Sequence, residues 1–482
     1  MAKKSITKNY IYNMVYQALT LVLPLITTPY LSRVLGAEGI GIYGYTFSVV
    51  TYFVLFGSLG VALYGQREIA YAGEDKEKRK KIFIEVNIFR WITISIAIAI
   101  YFFVFMRNNT YQVYYRILLF ELFAAAFDIS WFFQGMEEFK KTVTRNILVR
   151  LCSVALVFLM VKTKEDLTKF VLIYSLADFI GNLSLWLYLP KYTDGVKVGN
   201  IEVWKHVIPI VMLFVPQIAN QVYKILDTTM IGRLVVDKSE TGYYEQSQKV
   251  IRLLLTIVTS LGVVMVPRMA STFASGDKEK VNEYMKMSFK FVFFLAFPLM
   301  FGIVSISKSF VPLFFGEGYD KVVLLITIMS PILLLMGIAN VLGTQYLLPT
   351  KRQKEYTISV TIGVIVNFFL NYYLISKYAA IGASIATVLS QLVVDLVQLY
   401  CVRNDIKIKE LVISSWKYLC SGFVMFVFCM ITGLVLSQGY VFEISVQIIV
   451  GVMVYFIMLI VLKDDYVYKF LSTVKNKIGI KG

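Results

Sequence analysis

An all-α integral membrane protein of about fourteen transmembrane helices is the fold this sequence predicts, on three grounds. Of its 482 residues 58% are hydrophobic and only 16% charged, and the mean hydropathy is +0.69, far too apolar for a soluble globule of this length. Apolar segments of about 20 residues, each enough to cross roughly 30 Å of hydrocarbon, recur from end to end with no soluble domain between them. Two four-residue strings, Ser58-Leu59-Gly60-Val61 and Asp75-Lys76-Glu77-Lys78, return as Ser260-Leu261-Gly262-Val263 and Asp277-Lys278-Glu279-Lys280, both at an offset of 202. Six spans, an even number, fit inside that offset, so the copies enter the membrane in the same sense, a parallel repeat of six plus six helices. Residues 1–190 then form an N-terminal lobe (spans 1–6) and 191–403 a C-terminal lobe (spans 7–12), while 404–482 hold spans 13 and 14 and a tail.

The first span, 9–33, carries Asn9, Asn13, Gln17 and Thr20 on one face and is expected to bend at Pro24 and Pro29 before reaching Arg33. In the second, 39–64, Gly39, Gly41, Gly44, Gly57 and Gly60 let neighbouring helices approach closely. The third and fifth spans, 86–106 and 146–162, hold Arg90 and Arg150 near their inner ends, where a long side chain can reach the headgroups in a purely structural role. Glu121 and Asp128 in the fourth span, 115–134, are seven residues apart and share a helical face; Asp178 and Asn182 in the sixth, 169–190, are four apart. A carboxylate inside the membrane needs a neutralising partner, so Glu121, Asp128, Asp178 and, in span 12, Asp395 are candidates for a coupling Na+ or H+.

Spans 7 and 8, 205–233 and 240–267, carry charge at mid-membrane depth. On span 7, Gln217, Asn220, Gln221, Lys224 and Asp227 recur every three or four residues; on span 8, Glu245, Lys249 and Arg252 repeat that spacing. Each unpaired charge near a bilayer centre costs roughly 2.5–3.5 kcal/mol on insertion scales, so these side chains are expected to face protein or a water-filled cavity. At roughly 1.5 Å per residue, Lys224 and Lys249 both lie about 12–14 Å in from the outer edge. Lys224 and Asp227 can pair at i, i+3, but the two acids leave an excess of positive charge that suits an anionic, phosphate-bearing ligand. Pro298 and Pro331 interrupt spans 9 and 10, 287–307 and 322–348. Asn340, Gln345, Asn367, Asn371, Gln391 and Gln398 on spans 10 to 12 (the last two 357–376 and 379–402) offer amides that suit a sugar. Spans 13 and 14, 417–437 and 441–462, have no counterpart in the duplication and read as an appendage.

Lys and Arg set the orientation. With the N-terminus inside, about 32 of the 48 basic residues fall in inner loops, flanks and tails, which puts both termini in the cytoplasm. The net charge of +17 is thereby explained as topology, and no nucleic-acid partner is needed. The first span is too long for a cleaved signal and is expected to stay as an anchor. Cys152, Cys401, Cys420 and Cys429 are scattered without the short spacings of a zinc site or a disulfide frame, and His206 is the only histidine. With no phosphate-binding glycine loop, paired catalytic carboxylates or nucleophile motif, the chain does not read as an enzyme and no cofactor is expected.

Asn13, the run Pro29-Tyr30-Leu31-Ser32-Arg33-Val34-Leu35-Gly36, the following Glu38-Gly39-Ile40-Gly41-Ile42-Tyr43, and Tyr64-Gly65-Gln66-Arg67-Glu68-Ile69-Ala70 resemble the N-terminal half of Wzx-type polysaccharide flippases. These belong to the multidrug/oligosaccharidyl-lipid/polysaccharide exporter superfamily. The resemblance implies a protein of the bacterial cytoplasmic membrane that moves undecaprenyl-diphosphate-linked oligosaccharide from the inner to the outer leaflet for a surface polymer such as capsule or O-antigen. It implies alternating access through a cationic central cavity, with membrane lipids and polysaccharide polymerase machinery as partners. Arg33, Arg67, Lys224, Lys249 and Arg252 are then the substrate-binding candidates, with Asp227 beside Lys224. A cation-coupled drug exporter of the same superfamily would want carboxylates to dominate the site. A membrane glycan polymerase or ligase would offer a long outer loop for its chemistry, and the longest outer loop here is about 14 residues. A non-transporting scaffold would have little use for polar faces on so many spans.

Overall fold

The computed structural model describes residues 6–107, 110–195, 197, 199–405, 408–436 and 439–464, and among them there is no β-strand. The first helices are α1 (Ile6–Ser58), α2 (Val61–Ala72), α3 (Lys76–Phe105), α4 (Gln112–Phe127), α5 (Ser130–Gly135) and α6 (Phe139–Met160). There follow α7 (Leu167–Ser184), α8 (Pro190–Thr193), α9 (Val207–Leu234), α10 (Ser239–Thr259), α11 (Gly262–Ala274) and α12 (Lys278–Phe315). The last are α13 (Asp320–Met329), α14 (Ile332–Ala339), a π-helical turn over Asn340–Leu347, α15 (Gln353–Val402), α16 (Ile408–Val435) and α17 (Tyr440–Val461).

Among the described residues ten helical segments, or eleven if the bent pair α10 and α11 is one span, are long and apolar enough to cross a membrane. With 53 and 50 residues, α1 and α15 are each roughly 75–80 Å long, more than twice the hydrocarbon thickness. Each contains one sharp corner. In α1 it is Gly36 (φ 70, ψ 175), between predicted spans 1 and 2; in α15 it is Ala379 (φ 51, ψ −127), where predicted span 12 begins. The helix runs on through Pro24 and Pro29, and the corner falls at Gly36, where a glycine can take the left-handed φ that it needs.

The chain divides into two compact units, Met1–Gly242 and Tyr243–Gly482, with the division inside α10. The first unit takes in α9, which the duplication assigns to the second copy; lobe boundaries at 190 and 403 are a proposal from the repeat. In this unit the large buried side chains are Trp131, Tyr101, Tyr115, Phe132 and Phe133. Gly65 makes room for one of them, since a Cβ there would stand 2.4 Å from the Trp131 ring. Backbone meets backbone where α1 passes the start of α10: a Cβ on Gly41 would lie 1.7 Å from the Lys238 carbonyl oxygen, and one on Gly242 1.9 Å from that of Ala37. The Lys238 ammonium turns back to cap α9, donating to the carbonyls of Gly232 (2.7 Å) and Val235 (2.6 Å), and burial holds its pKa below the usual lysine range.

In the second unit, Phe289, Phe293 and Phe297 of α12 pack with Met425 of α16 and Tyr455 of α17, and the Tyr455 hydroxyl donates to the Phe294 carbonyl at 2.9 Å. The two helices expected as an appendage are thus part of the core of this unit. Local structure repeats where the sequence repeats. Asp75 caps α3 by accepting from the Lys78 N–H at 3.0 Å, and Asp277 caps α12 by accepting from the Lys280 N–H at 3.0 Å. Ser58-Leu59-Gly60 breaks the chain between α1 and α2, and Ser260-Leu261-Gly262 bends it by 41° between α10 and α11.

Candidate functional site

Within the first unit the fold gathers charges that the sequence had placed in separate pairs. Glu121 of α4 and Asp178 of α7 are charged neighbours of one another, and both have Arg150 of α6 as a cationic neighbour. Arg145, one turn earlier on α6, adds a second cation on the Asp178 side, and Tyr43 of α1 faces the same group. Arg150 also lines a cavity of about 230 Å³, together with Tyr16, Thr20, Thr27 and Tyr174 among others; the two carboxylates do not line it. Two neighbouring carboxylates with an arginine that reaches a cavity have the chemistry to exchange a proton or hold a monovalent cation. Among the described residues no group of three or more His, Cys, Asp or Glu side chains could hold a metal ion.

Asp128 and Asn182 have local duties instead. Asp128 ends α4, its Oδ1 accepting from the Ser130 N–H at 2.9 Å, while its carbonyl accepts from the Arg90 guanidinium. The Asn182 amide donates to the Ala124 carbonyl at 2.8 Å. Arg90, expected to reach the headgroups, is buried, because the end of α4 offers it a carbonyl that would otherwise have no helical partner.

The cationic candidates are spread over several helices. Arg33 is exposed one turn before the Gly36 corner. Arg67 of α2 is held locally, donating to Glu68 Oε1 from Nε (3.1 Å) and Nη2 (2.9 Å) and lying over the rings of Tyr64 and Tyr71. On α9, Lys224 is exposed and Asp227 buried, the latter beside Tyr52 of α1. The adjoining Thr229 hydroxyl donates to Ser48 at 2.8 Å, which fixes the rotation of α9 against α1. The side chains of Gln217, Asn220, Asn9 and Asn13 lie outside the described residues. In the second unit, Glu245, Lys249 and Arg252 follow one another along one face of α10, with Glu245 and Arg252 as the charged neighbours of Lys249.

The amides expected to meet a sugar are enclosed in the second unit. Asn367, Asn371, Gln391 and Gln398 are buried and bond largely to one another and to hydroxyls. Asn371 Nδ2 donates to Asn367 Oδ1 at 3.0 Å, Gln398 Nε2 to Ser359 Oγ at 3.1 Å, and Gln391 Nε2 to Asp395 Oδ1 at 3.1 Å. Asp395 is 2% exposed.

Sequence reading missed one cluster. Glu85 of α3 is fully buried and accepts from the Glu202 N–H (2.7 Å), with Lys205 (3.0 Å) and His206 Nε2 (2.8 Å) also on its carboxylate; His206 Nδ1 lies 2.6 Å from the Tyr64 hydroxyl. These bonds staple the segment before α9 to α3 and α2, which accounts for the only histidine structurally. The signal was Lys81 and Glu85 at i, i+4, a charged pair running into an apolar helix.

This arrangement can be set against known proteins. The profile of a family described as polysaccharide biosynthesis protein matches residues 6–273, more than half of the chain. The chain belongs to the polysaccharide biosynthesis protein family. That is the direction in which the Wzx-type resemblance pointed, and a second profile, that of the lipid II flippase MurJ, matches residues 190–461. A protein of Escherichia coli (strain K12) whose name assigns it to O-antigen transport is 26% identical over 413 residues, covering 84% of this chain and 98% of the relative. Among solved structures, the lipid II flippase MurJ in an inward closed conformation aligns with a TM-score of 0.75 over 95% of this chain and 100% of its own, at 18% identity. An inward-facing multidrug resistance MATE family transporter of the MOP superfamily aligns with a TM-score of 0.62 over 85% of this chain and 96% of its own, at 13% identity. The fold is therefore the all-α transporter fold common to both, in a multi-pass membrane protein.

Proposed function

We propose that the chain is a flippase that moves undecaprenyl-diphosphate-linked oligosaccharide from the inner to the outer leaflet of the bacterial cytoplasmic membrane, for assembly of a surface polysaccharide. The observation that carries this reading is the alignment with nearly the whole of a relative named for O-antigen transport, in a family named for polysaccharide biosynthesis. The work is transport and not catalysis. The diphosphate head carries about two charges, and moving it out of a cell that is negative inside gains roughly 4.6 kcal/mol per 100 mV, at about 2.3 per charge. Lys224, Lys249 and Arg252, together with Arg33, Arg67 and Asp227, are the groups proposed to hold the head in alternating access. Where an ion gradient is coupled, Na+ or H+ engages Glu121 and Asp178 first, with Asp128 and Asp395 as the remaining candidates. Both termini are cytoplasmic, and polysaccharide polymerase machinery is the partner that would take the product.

Leaflet-resolved transport of defined lipid-linked oligosaccharides in vesicles containing the purified protein tests the reading. Accumulation of the glycan on the far leaflet is expected, and an unchanged distribution would overturn it. Cysteines placed between Asp75 and Lys81 and between Asp277 and Lys280 test the orientation: both sets should resist a membrane-impermeant reagent applied to intact cells.

A further inference from the structure

The polar face of α10 carries one side chain that the charged site leaves unused. Gln248 is half-buried, next to Lys249 and one turn before Arg252, so it shares the face on which Glu245 and Arg252 stand. Its amide is held in place. Nε2 donates at 2.6 Å to the hydroxyl of Tyr244, one turn back along α10, and that hydroxyl lies 3.0 Å from Thr387 Oγ1 in the segment of α15 beyond Ala379. Thr387 gives its own hydroxyl hydrogen to the Ala383 carbonyl at 2.8 Å, so Tyr244 is the donor to Thr387 and its oxygen accepts from Gln248. Tyr244 and Thr387 are both buried, which keeps water from competing for these bonds.

The order of donors and acceptors decides which way the amide faces, although its two ends are alike in shape. With Nε2 turned to Tyr244, the carbonyl oxygen points away from it and has no hydrogen-bond partner among the described residues. An acceptor fixed beside an ammonium and a guanidinium cannot bind the diphosphate those cations would hold, because an ionised diphosphate brings only acceptors. It calls for a donor. In a lipid-linked glycan the diphosphate is flanked by a polyprenyl chain, which has none, and by the first sugar, which has hydroxyls or an acetamido N–H. We propose that Gln248 reads the first sugar, its carbonyl oxygen accepting from a hydroxyl or acetamido N–H there, and that Tyr244 is the positioning residue that holds it in that sense; the inference rests on the flippase reading. A freely turning amide could present its NH2 to the phosphates instead and bind a carrier with or without its glycan. Held by Tyr244, it rewards only the loaded carrier, and the site distinguishes that lipid from the bare diphosphate left when a glycan is transferred off.

The test measures equilibrium binding to the full-length protein in phosphatidylglycerol nanodiscs with two probes, undecaprenyl diphosphate and the same lipid bearing one N-acetylglucosamine. The parent should bind the sugar-bearing probe about fivefold more tightly, the worth of one neutral hydrogen bond. Gln248→Met, which keeps the length of the side chain, and Tyr244→Phe, which removes only a hydroxyl, should each bring that ratio close to one while the bare probe binds within about twofold of the parent. Lys249→Ala should weaken both probes alike and leave the ratio unchanged. Binding of the bare probe thus reports that each variant is folded, and a general disturbance of α10 would lower both affinities together. Equal binding of the two probes by the parent, or a ratio that neither variant moves, would overturn the sugar contact; a ratio moved by Gln248→Met but not by Tyr244→Phe would overturn the positioning role. The two readings fail separately: a parent that binds neither probe and moves no lipid removes the flippase reading and this contact with it, whereas flipping with an unmoved ratio removes the contact alone.

Discussion

Glu121 and Asp178 in the first unit have as a neighbour an arginine that lines a cavity of about 230 Å³, whereas Asp395 in the second unit is enclosed and bonded to the amide of Gln391. Both regions place carboxylates inside long apolar helices. The first sets acids near an arginine that reaches a cavity, an arrangement in which uptake of a proton or an ion would change the balance of charge. The second sets polar groups among neutral amides and hydroxyls buried along α15, with Gln398 on Ser359 joining the helical segments on either side of Ala379. Intramembrane polarity therefore has two uses in one chain, and the neighbours of each acid, not its depth, tell them apart.

The largest effect expected concerns which polar groups of the second unit meet the substrate. If α10 does so and the α15 seam does not, Lys249→Ala and Arg252→Ala should each weaken binding of the lipid-linked glycan by about 1.5–3 kcal/mol, the range for a charge-assisted contact. Arg252→Lys should lose less, since it keeps the charge but not the planar fork. Gln391→Ala, at equal protein level in the membrane, should leave the affinity within about 0.5 kcal/mol; equilibrium binding in nanodiscs compares the four, and parental binding by both α10 alanine variants would end the cationic-site idea.

Next comes the contrast between the acids. Glu121→Gln and Asp178→Asn should each reduce the stimulation of transport by an imposed Na+ or H+ gradient by about tenfold, roughly 1.4 kcal/mol, while Asp395→Asn leaves it unchanged. Uptake traces in vesicles with and without the gradient check this, and the reverse ranking would move the coupling site into the second unit.

Stability offers a smaller contrast. Arg150→Ala leaves Glu121 and Asp178 as neighbours without that cation and should destabilise the purified protein by about 1 kcal/mol, the upper end for an exposed charge beside acids. Asp395→Asn keeps a partner for Gln391 and should shift stability by less than about 0.5 kcal/mol. Thermal melts in one detergent compare them, and equal losses would erase the distinction drawn between the regions. The smallest effects test the likeness of the two copies: Asp75→Ala and Asp277→Ala should each lower stability by about 0.5–1 kcal/mol through loss of the same N-cap. Markedly unequal losses would mean that the repeated string does different work in each copy.

What could be read from the chain in advance was whatever acts over a few residues or through the bilayer as a whole. Helix after helix, the absence of strand among the described residues, the likeness of the strings at Asp75 and Asp277, and the span boundaries near Gly36 and Ala379 follow from hydropathy and repetition. The bilayer applies the same condition to every segment, satisfied backbone and apolar surface, so each span declares itself without reference to its neighbours.

Partnership was decided only by the tertiary structure. Glu121 shares a helical face with Asp128 seven residues on, yet its charged neighbours are Asp178 and Arg150 on two other helices. Position near a span end suits Arg90 to the headgroups, yet it closes the end of α4; the amides of α15 suit a sugar, yet they bond within their own unit. Each outcome depends on how one helix is rotated against the next, and that rotation is set by side chains and glycines far apart in sequence, such as Thr229 on Ser48 and Gly41 against the Lys238 carbonyl. Periodicity can say which residues share a face, but the identity of the facing helix is a property of packing, where contact between distant segments settles which buried charge meets which partner.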